Sequence, residues 1–353
     1  MFAEAHYRTE PLGPEELDHY LAEGWFRMGQ SIFTCTYLGL QEHFLRVIWL
    51  RVVLEDLQSD KTLQKLSKLN SNFKIKVGKA SITPEKEELF SKYKTGISFE
   101  ASSSLEQLLF SGSEYNIFNT LEINLYDADK LIAVGYFDVG KSSAEGICSF
   151  YDPAYKRYSL GKYLIYQKML FCKNQGMQFF YLGYFTPGYK AFDYKLSIGK
   201  NKLEYFDLTT KSWNRITELD LHVGSLEEAK DKLEVLQHHL AHVNIESRLL
   251  RYRYFDANLM RDLQGKELFD YFMILYCFQF IPEVVNPIIV YDFRDKQYHL
   301  LHCISLGMSD EPNDHTEEYT AHLLKIVDVI YSTNRVEDLA AMMSRALENG
   351  KIE

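Results

Sequence analysis

The sequence predicts an α+β protein: a mixed, mainly antiparallel sheet flanked by helices, followed by a mostly helical C-terminal domain with one β-hairpin. Three observations lead there. Between residues 120 and 207, short alternating strands surround one amphipathic helix. After Trp213 the alternation gives way to long segments with helical spacing. A length of 353 residues also exceeds one typical core, so more than one domain is expected. The boundaries read as an N-terminal region over 1–60, a sheet-and-helix domain over 61–215 and a helical extension over 216–353.

Residues 13–25 carry Pro14 in a first-turn position and Glu15 and Glu16 at the positive end of the dipole, which predicts a short helix. The β-branched run FLRVIWLRVVL predicts a strand. Helices are expected over Lys61–Leu69, over Pro84–Lys94 with Thr83 as cap, and around Leu105–Phe110. LEINLYD and LIAVGYFDV flank Ala128-Asp129-Lys130, the pattern of a hairpin. GICSFYDP is a third strand, stopped by Asp152-Pro153. Ser159 is placed to cap a helix over SLGKYLIYQKMLFCKNQG, with Leu160, Tyr163, Leu164, Gln167, Leu170 and Phe171 on one face and Gly176 ending it. The strand MQFFYLGYF, a short helix near Lys190–Leu196 and the strand KLEYFDL follow.

A strand–helix–strand step inside a hairpin-built sheet implies a right-handed crossover between parallel strands. This order resembles that of GNAT acyltransferases, in which two neighbouring parallel strands splay and the acyl donor lies in the gap. Here they would be Ile147–Tyr151 and Gln178–Tyr184. Beyond Trp213, LEEAKDKLEVLQHHLAHVN, RLLRYRYFD and ELFDYFMILYCFQFI read as helical. PIIVYDFRDKQYHLLHCIS reads as a hairpin turning near Arg294-Asp295, and Thr316–Tyr331 and Val336–Leu347 as final helices.

Charge narrows the function. The net charge of −10 argues against indiscriminate nucleic-acid binding, and DNA is not an expected partner. Residues 153–215, however, hold 11 basic and 3 acidic residues, which suits an anionic ligand met at one face. No apolar run of about 18 residues exists and no signal peptide is evident, so no membrane span is expected and a cytoplasmic address follows. The five cysteines are scattered without a C-x-x-C pair, which predicts neither a disulfide scaffold nor a zinc knuckle. His238 and His242 share a helix face, but the glutamate of an HExxH site is missing and a structural role is expected.

The segment Phe150-Tyr151-Asp152-Pro153, Ser159-Leu160-Gly161, Tyr181-Leu182-Gly183-Tyr184 closely resembles the core signature of the arginyl- and leucyl-tRNA–protein transferases, in the same order and spacing. Tyr194-Lys195 falls on that family's Tyr-Lys pair, Trp213 near its closing Trp, and Gly24-Trp25-Phe26-Arg27-Met28-Gly29 on its Gly-Trp-Arg-Arg-x-Gly stretch. The likeness covers about residues 17 to 215. Three departures stand out. Only Cys35 remains where the family has a cysteine cluster, so no metal is expected there. Glu55 to Asp60 replaces a basic stretch, and Ala191-Phe192 replaces Lys-Met.

The resemblance implies transfer of an amino acid, arginine in preference to leucine, from charged tRNA to the α-amine of a protein N-terminus, with no cofactor. Such an enzyme aligns amine and ester and stabilises an oxyanion. Amides at the start of the 160–175 helix are natural donors, with Gly161 allowing close approach. Asp152, at a strand end, is the expected acceptor of the amine's proton, against the plain alternative of an Asp-Pro turn. Tyr184 would stack on the terminal adenosine or hydrogen-bond the carbonyl, and Tyr181, also counted among the substrate-binding residues, would lie on the opposite sheet face. Ser159, Lys190, Tyr194 and Lys195 would meet the tRNA end, with Lys195 and Lys190 on its phosphates and Arg157, Lys156 and Lys162 as outer partners. Two rivals remain. An acyl-CoA enzyme of the same fold lacks support, because the Gln/Arg-x-x-Gly-x-Gly/Ala loop is not met around Ser159-Leu160-Gly161. A catalytically inactive relative that binds a protein through its acidic C-terminal region is the other.

Overall fold

The computed structural model describes residues 2–40, 43–55, 57–97, 101–263, 265–277, 286–307, 318–319 and 322–348. The chain opens with β1 (Ala3–Tyr7), then α1 (Pro14–Ala22) with Pro14 and two glutamates in its first turn. β2 (Phe26–Met28) and β3 (Ser31–Cys35) complete a three-stranded sheet ordered β1-β3-β2. The hairpin β4 (Tyr37–Leu40) and β5 (His43–Arg46) leads to β6 (Ile48–Val53). Next comes α2 (Lys61–Leu69), capped by Asp60, whose carboxylate accepts the N–H groups of Thr62 and Leu63 at 2.7 and 3.1 Å. β7 (Lys74–Lys79), α3 (Pro84–Lys94, capped by Thr83) and α4 (Leu105–Phe110, capped by Ser104) follow.

The central series is β8 (Thr120–Asp127), β9 (Lys130–Val139), β10 (Ser143–Tyr151), α5 (Leu160–Asn174), β11 (Phe179–Phe185), β12 (Leu203–Asp207) and β13 (Ser212–Arg215). These strands form a mixed sheet ordered β13-β12-β6-β11-β10-β9-β8-β7 among the described residues. The expected parallel crossover is present: β10 and β11 pair in parallel and α5 joins them. Of the strands of this sheet, β7 and β13 escaped sequence reading. The edge strand β7 is short, lysine-rich and wholly exposed, so the brief alternation of Ile75 and Val77 with lysines marks no buried face. β6, the strand predicted from FLRVIWLRVVL, enters the sheet between β11 and β12 from before residue 60.

α5 buries Leu160, Tyr163, Leu164, Tyr166, Lys168, Met169 and Cys172, while Gln167, Leu170 and Phe171 are only partly covered. The buried face is therefore broader than expected and rotated from the predicted one. It takes in the polar Lys168, which periodicity assigns to solvent. One apolar cluster lies between α5 and the sheet, and a second, containing Leu89, Leu105 and Phe150, covers the opposite face beneath α3 and α4.

The C-terminal region is not mostly helical. Between α6 (Leu226–His242) and α7 (Val336–Glu348) run β14 (Arg248–Tyr252), β15 (Met273–Tyr276), β16 (Asn286–Asp292), β17 (Gln297–Ser305), β18 (Glu318–Tyr319) and β19 (Leu324–Thr333). They form a sheet ordered β18-β14-β15-β16-β17-β19. The β16–β17 hairpin turns over 293–296, as predicted. RLLRY and MILY are strands, and most of the expected helix over Thr316–Tyr331 that is described is strand; residues 278–281, 316–317 and 320–321 lie outside the described residues. The error has a physical source. For MILY, a central strand buried on both faces reads as a continuous apolar run, which periodicity alone does not separate from a buried helix; β19 is instead a largely exposed edge strand.

Candidate active site

The gap between β10 and β11 begins where their pairing stops. The rungs are Ser143 to Phe179, Ala144 to Phe180 and Glu145 to Tyr181, and none follows. Each strand bends away because each carries a bulge at that level: β10 against β9 between Gly146 and Cys148, and β11 against β6 between Tyr181 and Gly183. Two glycines make the vertex possible. Gly183 has φ +73°, a left-handed conformation that side chains resist. A Cβ on Gly146 would lie 3.1 Å from the Phe180 ring. Ile147 falls outside both ladders as the extra residue of its bulge.

A buried ionic network supports the vertex. Glu145 is buried, and its two carboxylate oxygens accept the Arg27 N–H at 3.2 Å. The Arg27 guanidinium holds both oxygens of the fully buried Asp138 at 3.0 Å, bonds Thr120 Oγ1 at 3.0 Å and donates to the Leu109 carbonyl. The Gly24–Gly29 motif thus brings an arginine of the N-terminal sheet into the wall of the gap. Burial, then the Asp138 charge, pushes the Glu145 carboxyl up to about 8, against Arg27 and Lys195.

Lys195 comes from the 3₁₀ segment Lys190–Ser197. Its Nζ donates to the Tyr184 carbonyl at 2.6 Å and lies 3.4 Å from where a Gly183 Cβ would be. The ammonium also faces the Tyr184 and Phe192 rings at 5.3 and 5.1 Å. Burial pushes Lys195 down to about 7, with the Glu145 charge opposing. A second enclosed ammonium, Lys168 on α5, donates to the Tyr136 and Cys148 carbonyls at 2.9 and 2.6 Å and to Ser149 Oγ at 3.0 Å. Tyr136 and Cys148 are the first rung beyond the β10 bulge, so this lysine pins it. Burial pushes Lys168 down to about 8.

The expected site residues separate into groups. Lys195 and Tyr184 meet at the gap. Gly161 packs on its mouth, where an added Cβ would lie 3.4 Å from the Tyr151 ring, which in turn meets Tyr93 at 5.5 Å. Lys162 Nζ donates to Ser197 Oγ at 2.7 Å, tying α5 to the lysine segment, and burial lowers its pKa. Tyr194 and Lys190 are exposed on that segment, and Arg157 is exposed with its guanidinium on Tyr158.

Three assignments are corrected. Asp152 does not face the gap as a free acceptor: Oδ1 accepts the Ala154 N–H at 3.0 Å and Oδ2 the Lys130 ammonium at 2.8 Å. The Lys130 hydrogen bond holds its carboxyl below the usual range. It is the cap of an Asp-Pro turn. Ser159 stands at the start of α5 but its hydroxyl caps nothing, because its backbone is left-handed (φ 53°) and not extended as side-chain capping requires. Tyr181 and Tyr184 share one face of the sheet, both packing on the cluster around Trp49, because the Leu182–Gly183 bulge resets the alternation. Tyr181 is wholly buried, between Phe26 and Trp213. Sequence reading missed Glu145, Asp138 and Lys168. A charged residue inside an alternating apolar stretch is the one signal they give.

The N-terminal cysteine, Cys35, is buried. Among the described residues, Asp292, Asp295 and His299 lie close enough to share a cation, but Arg294 Nε already bonds both Asp292 oxygens at 2.9 and 3.0 Å. His238 and His242 are exposed on α6.

The sequence profile described as "Arginine-tRNA-protein transferase, C terminus" matches residues 85–204, the part of the chain that holds β10, α5, β11 and Lys195. An "Aspartate/glutamate leucyltransferase" of Leptospira interrogans is 31% identical over 192 residues, covering 53% of this chain and 73% of that one. A protein of the same name from Paracoccus denitrificans is 27% identical over 195 residues, covering 51% and 68%. Among solved structures, the C-terminal domain of a putative lysylphosphatidylglycerol synthetase from Agrobacterium fabrum superimposes with a TM-score of 0.30 at 17% identity, covering 51% of this chain and 53% of that one. The L-PGS of Bacillus licheniformis gives a TM-score of 0.31 at 14% identity, covering 51% and 52%. The chain spans about half the length of these two structures, and such loose superpositions carry no further argument.

Proposed function

The chain belongs to the aminoacyl-tRNA–protein transferase family, and from that premise we propose that it moves leucine from the 3′ ester of charged tRNA to the α-amine of proteins beginning with aspartate or glutamate. Donor and acceptor follow the names of its relatives, and arginine is the second candidate donor. Charged tRNA as substrate implies a reaction in the cytoplasm. The observation that carries the reading is Lys195 at the vertex of the β10–β11 split, beside Glu145.

An aminoacyl ester needs no activation, so the chain's task is to present a neutral amine and hold the developing oxyanion. An α-ammonium titrates near 8 in water. Lys195, pushed down to about 7, is largely neutral at that pH and takes the proton while still donating one N–H to the Tyr184 carbonyl. The amine then forms its bond to the ester carbon, the C–O bond breaks, and the ribose oxygen leaves with a proton. Ile147, outside both ladders, is the proposed oxyanion donor through its backbone N–H. The adenosine end rests among Tyr93, Tyr151 and Tyr194, with Gly161 and Lys162 at the start of α5 receiving its phosphate. Asp152 has no chemical role in this scheme. Catalysis rests on the sheet from β6 to β13, and residues 216–353 form an appended region.

The test is a transfer assay. Purified protein receives tRNA charged with labelled leucine or arginine, with peptides beginning with Asp, Glu, Lys or Arg. Label passing from leucyl-tRNA to the Asp and Glu peptides is the expected result. Label from arginyl-tRNA alone would reassign the donor, and no label from either would sink the proposal.

A further inference from the structure

Residues 61–79 contain six lysines (Lys61, Lys65, Lys68, Lys74, Lys76 and Lys79) and no aspartate or glutamate, in a chain of net charge −10. The fold gathers them on one margin. On α2, Leu63 and Leu66 turn inward, so Lys61, Lys65 and Lys68 form an outward stripe within about 60° of helix surface. β7 is exposed along all six of its residues and is the edge of the large sheet, with Lys74 and Lys76 on one face and Lys79 on the other. All six lysines are exposed, and among the described residues none of them makes an ion pair.

An ordinary solvated helix face mixes its charges. α3 does so, with Glu85, Glu87 and Glu88 against Lys92 and Lys94 and a Glu88–Lys92 pair at 2.6 Å. Lysines on an edge strand also discourage pairing with other chains, but that accounts for β7 and not for the stripe on α2. The margin joins the mouth of the gap. Asn70 Nδ2 donates to the Tyr158 carbonyl at 3.2 Å, and the Phe73 ring meets Tyr158 at 5.0 Å and Tyr155 at 5.9 Å. The corner between α2 and β7 therefore packs on 153–158, where Lys156 and Arg157 are exposed just before α5 begins.

We infer that this margin seats the body of the donor tRNA, its lysines meeting the sugar–phosphate backbone while the 3′ end enters the β10–β11 split. The inference rests on the transferase reading above. Flexible ammonium groups without base-reading partners fit a contact that positions the duplex without reading its sequence.

The test compares wild type with Lys61→Gln/Lys65→Gln/Lys68→Gln, using leucyl-tRNA and, as a minimal donor, 3′-leucyl-adenosine. For the variant, KM for leucyl-tRNA should rise about tenfold or more at moderate salt, and the slope of log affinity against log salt should become shallower by about two to three. kcat, KM for the acceptor peptide and the rate with the minimal donor should not change. An unchanged tRNA KM and salt slope would overturn the inference, as would an equal loss with the minimal donor, which locates the damage in the gap. Loss of binding to phosphatidylglycerol vesicles with tRNA use intact would assign the margin to a membrane surface instead. Wild type that uses neither donor would fail the transferase reading itself, a result visible before any lysine is changed.

Discussion

In the proposed scheme Lys195 takes the base role that the sequence suggests for Asp152, which caps a turn. Lys195 is an ammonium in a place where burial resists its charge, with a neutral acceptor at 2.6 Å and a carboxyl nearby that is itself pushed up to about 8. Lys195 becomes mostly neutral only above about 7 and Glu145 stays mostly protonated only below about 8, so midway between them an incoming ammonium mostly meets a base and no opposing charge. The base form of Lys195 appears as pH rises through about 7, so kcat should rise through that range and level off. Replacing Lys195 with Met should lower kcat by about 10²- to 10⁴-fold and abolish that acid limb. A pH profile unchanged in shape would remove Lys195 from the chemistry. Asp152→Asn should change kcat less than about fivefold, because the amide keeps an oxygen for the Ala154 N–H and only an exposed lysine pair is lost. A loss approaching that of Lys195→Met would restore Asp152 to the site.

At the scale of elements, the β10 bulge is held by a side chain from a helix. Lys168 Nζ collects two strand carbonyls, and its stem runs where a Gly135 side chain would be: a Cβ there would lie 2.6 Å from Lys168 Cε. Lys168→Met should leave the Tyr136 and Cys148 carbonyls short of a donor, costing about 1–3 kcal/mol, and should lower kcat while KM for tRNA holds. Gly135→Ala should act in the same direction by displacing the ammonium. The two changes should then be non-additive in a double-mutant cycle read by chemical denaturation, since the Lys168→Met variant has no ammonium to displace. Strict additivity would mean that the glycine and the lysine act separately. These elements also show what sequence reveals. Short apolar runs bounded by turn chemistry placed β8, β9, β10, α5 and β11 in order, even though β9 is buried along all but its first residue. The site's fine structure was hidden. A one-residue bulge at Leu182–Gly183 puts Tyr181 and Tyr184 on the same face, and no periodicity announces it. Buried Glu145, Asp138 and Lys168 look like surface residues until the partners that satisfy them, Arg27 from the N-terminal sheet and carbonyls from two strands, are known. Among the misread C-terminal strands, β15 was hidden for the converse reason, being apolar on both faces, whereas β19 is a largely exposed edge strand.

Across the whole molecule, the first residues lock the C-terminal sheet to the rest. Phe2 and Tyr37 belong to the same apolar cluster as Leu236, Ile274 and Leu300. Asp270 is buried and accepts the backbone N–H groups of Phe2 and Ala3, while Arg294 covers the Phe2 ring at 3.9 Å. Burial raises the Asp270 carboxyl, with the Phe2 amide, Arg294 and the Ala3 amide acting against it. Tyr7 adds a bond to the Leu259 carbonyl at 2.8 Å. A core built from both ends of the chain should unfold as one unit. The sequence supplies a probe: its three tryptophans, Trp25, Trp49 and Trp213, all lie in or against the N-terminal cluster, and none follows residue 213. Tryptophan fluorescence therefore follows the transferase half, while far-ultraviolet dichroism follows the whole chain. In wild type the two thermal transitions should coincide. Phe2→Ala removes a buried ring and should cost about 3–5 kcal/mol, concentrated on the C-terminal sheet. The dichroism midpoint should then fall below the fluorescence midpoint. Asp270→Ala, which strands two amide donors, should shift it the same way by about 1–3 kcal/mol. Midpoints that stay together in both variants, or that are already apart in wild type, would show that the lock does not couple the two cores.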